Sequence, residues 1–334
     1  MTEAELDDLL SRPRAETSAA LAACRGDVVI LGAGGKMGPT LARMVRRAAD
    51  DDRRVIAVSR WSSRGAERSL NDAGVETIAC DLLARASVDR LPRTPNVIFM
   101  AGQKFGTSDA PALTWAMNVL VPAYCAEHYR DARIVAFSTG NVYPLTPVDG
   151  GGSRETDTPA PVGEYAASCL GRERVFELYA SRNATRVGIV RLNYAIDLRY
   201  GVLVDVALRV WRGKPVPLDM GYVNVIWQGD ANRIAIECLA RASTPAFVVN
   251  VTGGQLLSVR ALAEGFGERF GKPVAFSGAE RPDALLSDTT KMQDCFAPPE
   301  VALDQMMGWV ADWVRGGGAL LGKPTRFEAR DGRF

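Results

Sequence analysis

From residue 28 to residue 44 the chain reads VVILGAGGKMGPTLARM. The first four residues are all apolar and predict a short buried strand, whereas the last six begin a segment with apolar residues at helical spacing. Gly32, Gly35 and Gly38 lie between the two, so the stretch predicts a strand, a glycine turn and the N-terminus of a helix.

This arrangement is typical of a phosphate site. Gly32 allows a sharp turn, Gly35 allows close approach of a pyrophosphate, and Gly38 allows close packing of helix and strand. The helix N-terminus offers unpaired N–H groups and the positive end of its dipole. We predict a bound dinucleotide at Gly32, Gly35, Lys36, Met37 and Gly38; the alternative is a tight turn without a ligand.

Composition excludes several classes of protein. The 334 residues are 47% hydrophobic and 24% charged, and the net charge of +1 gives no electrostatic case for nucleic acid or an acidic membrane as partner. One histidine, His128, and no CxxC pair among six cysteines argue against a metal site or a redox dithiol. The acidic N-terminus is unlike a signal peptide, and no apolar run reaches about 18 residues, so we expect a cytoplasmic protein.

Apolar runs alternate with helical patterns over the first 192 residues, which predicts an α/β, Rossmann-type doubly wound parallel sheet. The predicted strands after the first are 54–59, 75–80, 96–101, 133–138 and 185–192, and the long predicted helices are 111–128 and 163–181.

The alternation weakens after residue 192, and this change sets the predicted domain boundaries. We expect a helical extension over 1–26, a dinucleotide-binding domain over 27–192, and a substrate-binding cap over 193–315 that returns some segments to the sheet. The glycine-rich, charged stretch 316–334 is predicted to be a loosely ordered tail.

Several motifs follow the glycine turn in a fixed order, and together they resemble the extended short-chain dehydrogenase/reductase family, the NAD(P)-dependent epimerases and dehydratases. The matching positions are Asp81, Ala101-Gly102, Asn118, Ser138-Thr139, Tyr165, Ser168 and Glu173. The resemblance implies a catalytic role for Tyr165 with Ser138 or Thr139, support from Asn118, and dinucleotide contacts at Asp81, Leu82, Ala101, Gly102 and Tyr165. It also implies a homodimer formed through the two long helices.

The main departure from the family pattern is Cys169, which stands where the pattern YxxxK has its lysine. Residues four apart share a helix face, so that lysine normally serves the same site as the tyrosine and lowers its pKa. Without it, Tyr165 should stay protonated near neutral pH and be a poor base. Cys169 is either a catalytic nucleophile or, as we favour, a buried and inert thiol.

Two other cations are candidates for the missing charge. Lys104 resembles a lysine that galactose-type epimerases carry in the same loop, and Arg172 follows Tyr165 by two helical turns. The competing interpretation makes each a solvated surface cation, and it is the stronger one for Arg172.

The end of the second predicted strand bears on cofactor choice. NAD-binding proteins usually place a carboxylate there, about 20 residues after the turn, for the ribose 2′-hydroxyl. Here Ser59, Arg60 and Ser63 occupy the region instead, and they suit a 2′-phosphate. We therefore predict NADP rather than NAD.

The substrate is predicted to be a small sugar, sugar acid or hydroxy acid. Gly221-Tyr222 stands where family members that act on nucleotide sugars usually have a pyrophosphate-binding arginine. Sequence order predicts a pocket that includes Lys104 and is lined by Arg191, Asn193, Arg199, Tyr200, Asn224 and Trp227, with Arg199-Tyr200 as the anchor for a carboxylate.

These observations favour an NAD(P)-dependent oxidoreductase or epimerase. The alternative is a protein of the same fold that binds a dinucleotide without redox turnover, as a sensor or scaffold; a weaker idea is a lyase or isomerase with a structural cofactor.

Overall fold

A computed structural model describes residues 1–62, 64–107, 109–323 and 325–333. The strands are β1 (Val28–Leu31), β2 (Val55–Ser59), β3 (Glu76–Ala79), β4 (Asn96–Phe99), β5 (Arg133–Thr139), β6 (Thr146–Pro147), β7 (Arg186–Leu192), β8 (Ala195–Ile196), β9 (Val216–Pro217), β10 (Tyr222–Val223), β11 (Ile226–Trp227), β12 (Phe247–Val251), β13 (Leu257–Ser258), β14 (Phe276–Ser277) and β15 (Asp283–Ala284).

The helices surround these strands. They are α1 (Glu3–Leu10), α2 (Ala15–Ala23), α3 (Gly38–Ala48), α4 (Arg64–Asn71), α5 (Arg85–Val88), α6 (Pro111–Trp115), α7 (Val121–His128), α8 (Gly163–Asn183), α9 (Val202–Trp211), α10 (Gln228–Arg241), α11 (Val259–Phe270), α12 (Thr290–Cys295) and α13 (Leu303–Arg315). No helix among the described residues is both long and apolar enough to span a bilayer.

The central sheet has seven parallel strands in the order β12-β7-β5-β4-β1-β2-β3. This order confirms the predicted doubly wound parallel sheet. The chain runs outward from β1 to β3 and then returns to place β4 on the other side of β1. The strand order therefore reverses between β1 and β4, and a crevice for ligands opens beyond the carboxyl ends of these strands.

The strand β1 is buried on both faces, which explains its continuous apolar sequence. Successive side chains point to opposite faces, so Val28 and Ile30 join one apolar cluster while Val29 and Leu31 join the other. Helices cover both faces of the sheet. The burial of β1 therefore fixes the position of the glycine turn at the carboxyl end of this strand.

The predicted helix over residues 111–128 is divided. A π-helical turn at Ala116–Leu120 separates α6 from α7. Pro122 has no N–H for the carbonyl of Asn118, and its ring would clash with that carbonyl in a regular helix, which accounts for the wider turn. The turn carries Asn118, so the irregularity falls at a predicted site residue.

The cap packs around a third apolar cluster, formed largely by α9, α11 and α13. Leu6 and Leu10 of α1 are fully buried in the same cluster, so the N-terminal helices belong to the packed structure. The strand β12, far along the chain, completes the main sheet beside β7.

The prediction of a loosely ordered tail is wrong for the described part of 316–334. Phe327 is buried in the cap cluster. Thr325 donates both its N–H and its hydroxyl to the carboxylate of Asp205, and Arg330 bonds to Asp283. The high glycine content of this segment predicts weak preferences for any local backbone conformation, but these tertiary contacts hold the described part of 316–334 in place.

Candidate functional site

A cavity of about 790 Å³ opens at the carboxyl ends of β1, β4 and β5, between the glycine turn and the cap. The glycine turn, the start of α3, the loop after β4, the N-terminal part of α8 and the segment after β7 all contribute to its wall. Its position at the reversal of strand order is where this type of sheet binds ligands.

The glycine turn forms one side of this cavity. Gly32 has φ +89°, and a Cβ at this position would stand 2.5 Å from the backbone nitrogen of Ala101, so only glycine suits the turn. Gly32, Gly35, Lys36, Met37 and Gly38 all line the cavity. The helix α3 begins at Gly38 with Pro39 in its first turn, and its unpaired N–H groups are available to an anion.

The region proposed for the adenosine ribose lies after β2. Ser59 packs against Gly34, Arg60 is exposed, and Trp61 turns inward to donate from Nε1 to the carbonyl of Ile78 at 3.1 Å. Ser63 lies outside the described residues. No carboxylate follows β2 among residues 59–62.

The residues that follow β3 and β4 lie at the same carboxyl end of the sheet as the glycine turn. The carboxylate of Asp81 is exposed and accepts the N–H of Leu83 at 3.1 Å, and Leu82 is buried. Ala101 packs against Gly32, and Gly102 lines the cavity.

Thr139 and Tyr165 face the cavity together. Thr139 and Cys169 are among the side chains that act on the pKa of the Tyr165 phenol, and the Thr139 hydroxyl also accepts the N–H of Asn141 at 3.2 Å. Burial raises the pKa of Tyr165 above its usual value, with nearby Arg172 acting in the opposite direction. The phenol is therefore protonated at neutral pH and presents a proton donor beside a hydroxyl group.

Ser138 also lines the cavity, but its hydroxyl bonds to a different partner. Its hydroxyl donates to Glu173, and Glu173 forms a buried ion pair with Arg191, with Nη2 and Oε2 at 2.7 Å. Nη1 of Arg191 also donates to the hydroxyl of Tyr143 at 2.6 Å. Arg191 is thus held inside the protein, and the prediction that it lines the substrate pocket is wrong.

Asn118 connects the loop after β4 to α8. Its Oδ1 accepts from the N–H of Gln103 at 2.9 Å and from Nη2 of Arg172 at 2.7 Å, and its Nδ2 donates to Gln103 and Ser168. All of these partners lie within the chain, so Asn118 positions the wall of the cavity.

Arg172 is the side chain whose location differs most from expectation. It is 6% exposed and lines the cavity, so the interpretation as a solvated cation is wrong. Nη1 donates to the carbonyl of Phe137 at 2.8 Å, and a Cβ on Gly102 would overlap Nη2. Its buried Nε–H has no hydrogen-bond partner among the described residues.

Cys169 packs in a small apolar cluster with Val142 and Tyr143 and is 1% exposed. Burial raises the pKa of its thiol, which keeps the sulfur protonated. These properties favour inert packing over nucleophilic catalysis.

Two lysines of the cavity wall are half-buried. Burial lowers the pKa of Lys36 to about 7 and that of Lys104 to about 8. Nζ of Lys36 donates to the carbonyl of Ala195 at 3.1 Å, and Nζ of Lys104 lies 5.8 Å from the ring centroid of Tyr165.

The predicted substrate residues separate into two groups. Asn193, Arg199 and Tyr200 line the cavity. Asn224 is buried behind Asn193, from which it accepts a hydrogen bond at 3.1 Å, and Trp227 lies in the cap cluster. The prediction that Trp227 lines the pocket is therefore wrong, since its indole serves the packing of the cap.

Arg199 is already neutralised. Its guanidinium bonds to Asp197 at 3.0 Å and to Asp7 of α1 at 2.9 Å, so an anchoring role for a substrate carboxylate would need these pairs to separate.

Sequence reasoning missed the contribution of the chain ends to this wall. Asp7, Leu321, Lys323 and Thr325 line the cavity, yet no motif marks them. Arg172 did carry a signal, because its spacing from Tyr165 places both on one face of α8. The described residues contain no group of three or more potential metal ligands.

A comparison with models of known protein families agrees with the fold described above. A model of a family described as the NAD dependent epimerase/dehydratase family matches residues 28–196, just over half of the chain. A comparison with curated proteins finds no match.

Many solved structures share the fold. The chain resembles UDP-glucose 4-epimerase from Thermotoga maritima (19% identity, TM-score 0.71), UDP-glucose 4-epimerase from Thermus thermophilus in complex with NAD (20%, 0.69) and UDP-glucuronic acid 4-epimerase from Bacillus cereus in complex with NAD (16%, 0.73). Each alignment covers 87% of this chain and 99% of the other.

Proposed function

This chain belongs to the NAD dependent epimerase/dehydratase family, and we propose that it is an oxidoreductase or epimerase acting on a small carbohydrate-like substrate with a nicotinamide dinucleotide. One observation carries the proposal. The Thr139 hydroxyl and the protonated Tyr165 phenol both face the cavity that the glycine turn opens into, and Thr139 acts on the pKa of the phenol.

The residues present suit the dinucleotide. Gly32 keeps the turn close to the sheet, the unpaired N–H groups at the start of α3 suit a pyrophosphate, and the orphaned Nε–H of Arg172 needs an acceptor. A nicotinamide ring supplies hydride acceptance or donation when such a cofactor is bound. The Thr139 hydroxyl then orients the reacting oxygen of the substrate, and Tyr165 gives it a proton.

The raised pKa of Tyr165 favours one direction of reaction. A phenol that holds its proton is a good hydrogen-bond donor to a carbonyl and a poor base toward an alcohol. The proposed enzyme therefore works best as a carbonyl reductase, or in the reductive half of an epimerisation. Arg172 opposes the effect of burial and takes over part of the charge that the lysine of the family pattern supplies.

The first prediction concerns Tyr165. Tyr165→Phe removes the proton donor and keeps the ring, so turnover should fall by about 10²–10⁴-fold while dinucleotide affinity is retained. The assay follows nicotinamide absorbance with carbonyl sugars and sugar acids. Tyr179→Phe, on the same helix but outside the cavity wall, is the matched control. Equal turnover by the Tyr165 variant and the parent would reject the proposal.

The second prediction concerns the cofactor. Ser59 and Arg60 follow β2 without a carboxylate, and we propose a preference for NADPH, although two of the structural neighbours above are complexes with NAD. Calorimetry should show tighter binding of NADPH than of NADH, and Arg60→Ala should weaken NADPH binding by about 10- to 100-fold with little effect on NADH. Arg54→Ala, at the opposite end of β2, is the control.

The two cofactors also separate the candidate functions. Equal affinity for NADH and NADPH would exclude a 2′-phosphate site, and no binding of either would overturn the redox proposal. Tight binding without hydride exchange would support the second candidate, a dinucleotide-binding sensor or scaffold. That candidate is favoured by the substitution of Cys169 for lysine and by the raised pKa of Tyr165.

The quaternary arrangement and the compartment are proposals as well. Large apolar side chains are exposed at several positions on α6, α8 and the π-helical turn, namely Leu113, Trp115, Leu120 and Leu178. A homodimer formed through this surface would cover them, and we propose a cytoplasmic protein.

A further inference from the structure

Three lysines from distant parts of the chain meet around one aromatic pair. Phe105 and Tyr200 are in edge-to-face contact, with ring centroids 6.4 Å apart. Nζ of Lys36 lies 4.2 Å from the centroid of Tyr200, and those of Lys104 and Lys323 lie 5.9 and 5.5 Å from the centroid of Phe105. All five side chains line the cavity.

The charge of the cavity wall is strongly positive for a chain with a net charge of only +1. Among the described lining residues, the cations are Lys36, Arg43, Lys104, Arg172, Arg199 and Lys323, whereas the carboxylates are Asp7 and Asp197. Both carboxylates are ion-paired with Arg199. The aromatic pair therefore sits in a wall whose described lining residues carry more cations than carboxylates.

Lys36 projects away from the phosphate cradle. Its backbone belongs to the glycine turn, but its ammonium reaches the carbonyl of Ala195 and the ring of Tyr200, both of which follow β7. Lys323 comes from the C-terminal segment and is exposed at the cavity mouth. The cluster thus faces the substrate side, while the turn and α3 remain for the pyrophosphate.

We propose that this lysine cluster selects a substrate that carries a carboxylate or a phosphate monoester, bound by Lys36, Lys104 and Lys323 beside Phe105 and Tyr200. The inference rests on the proposed function and narrows its substrate class. The aromatic faces accept the apolar side of a sugar ring, and the ammonium groups accept its charged substituent.

Protonation supports this assignment. The lowered pKa values of Lys36 and Lys104 show that burial makes their charge costly without an anion. The titratable and charged groups that act on Lys36 are Asp197, Lys104, Arg199 and Asp205, and those that act on Lys104 are Cys169 and Asp205. A bound anion raises both pKa values, so binding at pH 8 takes up protons.

The test uses three probes that differ only at carbon 6: D-glucose, D-glucuronate and D-glucose 6-phosphate. Each is titrated by calorimetry into the protein, with and without saturating dinucleotide, and in two buffers of different ionisation heat. The variants are Lys36→Gln and Lys323→Gln. Lys214→Gln is the control because Lys214 is exposed and lies outside this cavity.

We expect at least one charged probe to bind about tenfold or more tightly than D-glucose, with proton uptake at pH 8. Each cavity variant should reduce that preference by about 10- to 100-fold, in line with loss of a charged hydrogen bond, and the control should not. Lys36→Gln should also reduce the proton uptake.

Equal affinity for charged and neutral probes, or no binding of a charged probe at millimolar concentration, would overturn the inference. So would a loss in Lys36→Gln confined to dinucleotide affinity, since the ammonium would then serve the cofactor phosphates. Failure here with normal dinucleotide binding leaves the proposed function intact, whereas charged-sugar binding without any dinucleotide binding would reject the proposed function alone.

Discussion

Ser138 and Thr139 are consecutive residues at the end of β5 and both line the cavity, yet their hydroxyl groups have different hydrogen-bond partners. Ser138 joins the buried network of Glu173, Arg191 and Tyr143, in which each group has its partner inside the protein. Thr139 joins Tyr165 at the cavity wall. Neighbouring side chains of a strand point in opposite directions, which lets the two hydroxyl groups meet different partners at the same end of β5.

The difference separates polar groups that hold the fold from polar groups that can act on a ligand. Both networks are rich in residues that a motif search would select as catalytic. The Ser138 hydroxyl bonds to the buried ion pair of Glu173 and Arg191, which would lose its compensation if either member were withdrawn, so this network is the less able to exchange its partners for a substrate.

The largest effect on stability is expected at the buried ion pair of Glu173 and Arg191. Glu173→Gln leaves the Arg191 guanidinium buried without a counter-charge and should lower the free energy of unfolding by about 3–5 kcal/mol, measured by urea denaturation. Glu177→Gln, on the same helix with a solvent-exposed partner in Arg174, should change it by less than about 1 kcal/mol. Similar losses in both variants would contradict a structural role for the network.

Smaller effects on turnover and stability are expected at the hydroxyl groups of Thr139 and Ser138. Thr139→Val keeps the shape but removes the hydroxyl, so turnover should fall by about a hundredfold with the free energy of unfolding changed by about 1 kcal/mol or less. Ser138→Ala should show the opposite pattern, with turnover nearly unchanged and stability lower by about 1–3 kcal/mol. Turnover assays and urea denaturation of both variants test this contrast. Loss of turnover in both variants would show that both hydroxyl groups serve the reaction.

Six of the seven strands of the sheet were predicted from the sequence to within two residues at each end, whereas β12 was not assigned to the sheet. The run Val28–Leu31 is apolar throughout because both faces are buried, and β5 and β7 follow the same logic. The interruption at Ala116–Leu120 was not predicted, although Pro122 gave a reason for it.

The site was only partly predictable. Tyr165 and Thr139 were expected from the family resemblance and both line the cavity, but the burial of Arg172 depends on Gly102 and Asn118, which belong to other elements. Lys323 is distant in sequence from every motif. Such positions are fixed by tertiary contacts, which hydrophobic periodicity and motif spacing do not encode.

The wall of the cavity also bears on the order of folding. The pairs Asp7–Arg199 and Asp205–Thr325 join segments more than a hundred residues apart, whereas β1, β2 and β3 pair with near neighbours in sequence. Closing such long loops carries an entropic cost that is offset only once the surfaces they join exist. We therefore expect the part of the chain that holds β1, β2 and β3 to form before the contacts that join Asp7 to Arg199 and Asp205 to Thr325.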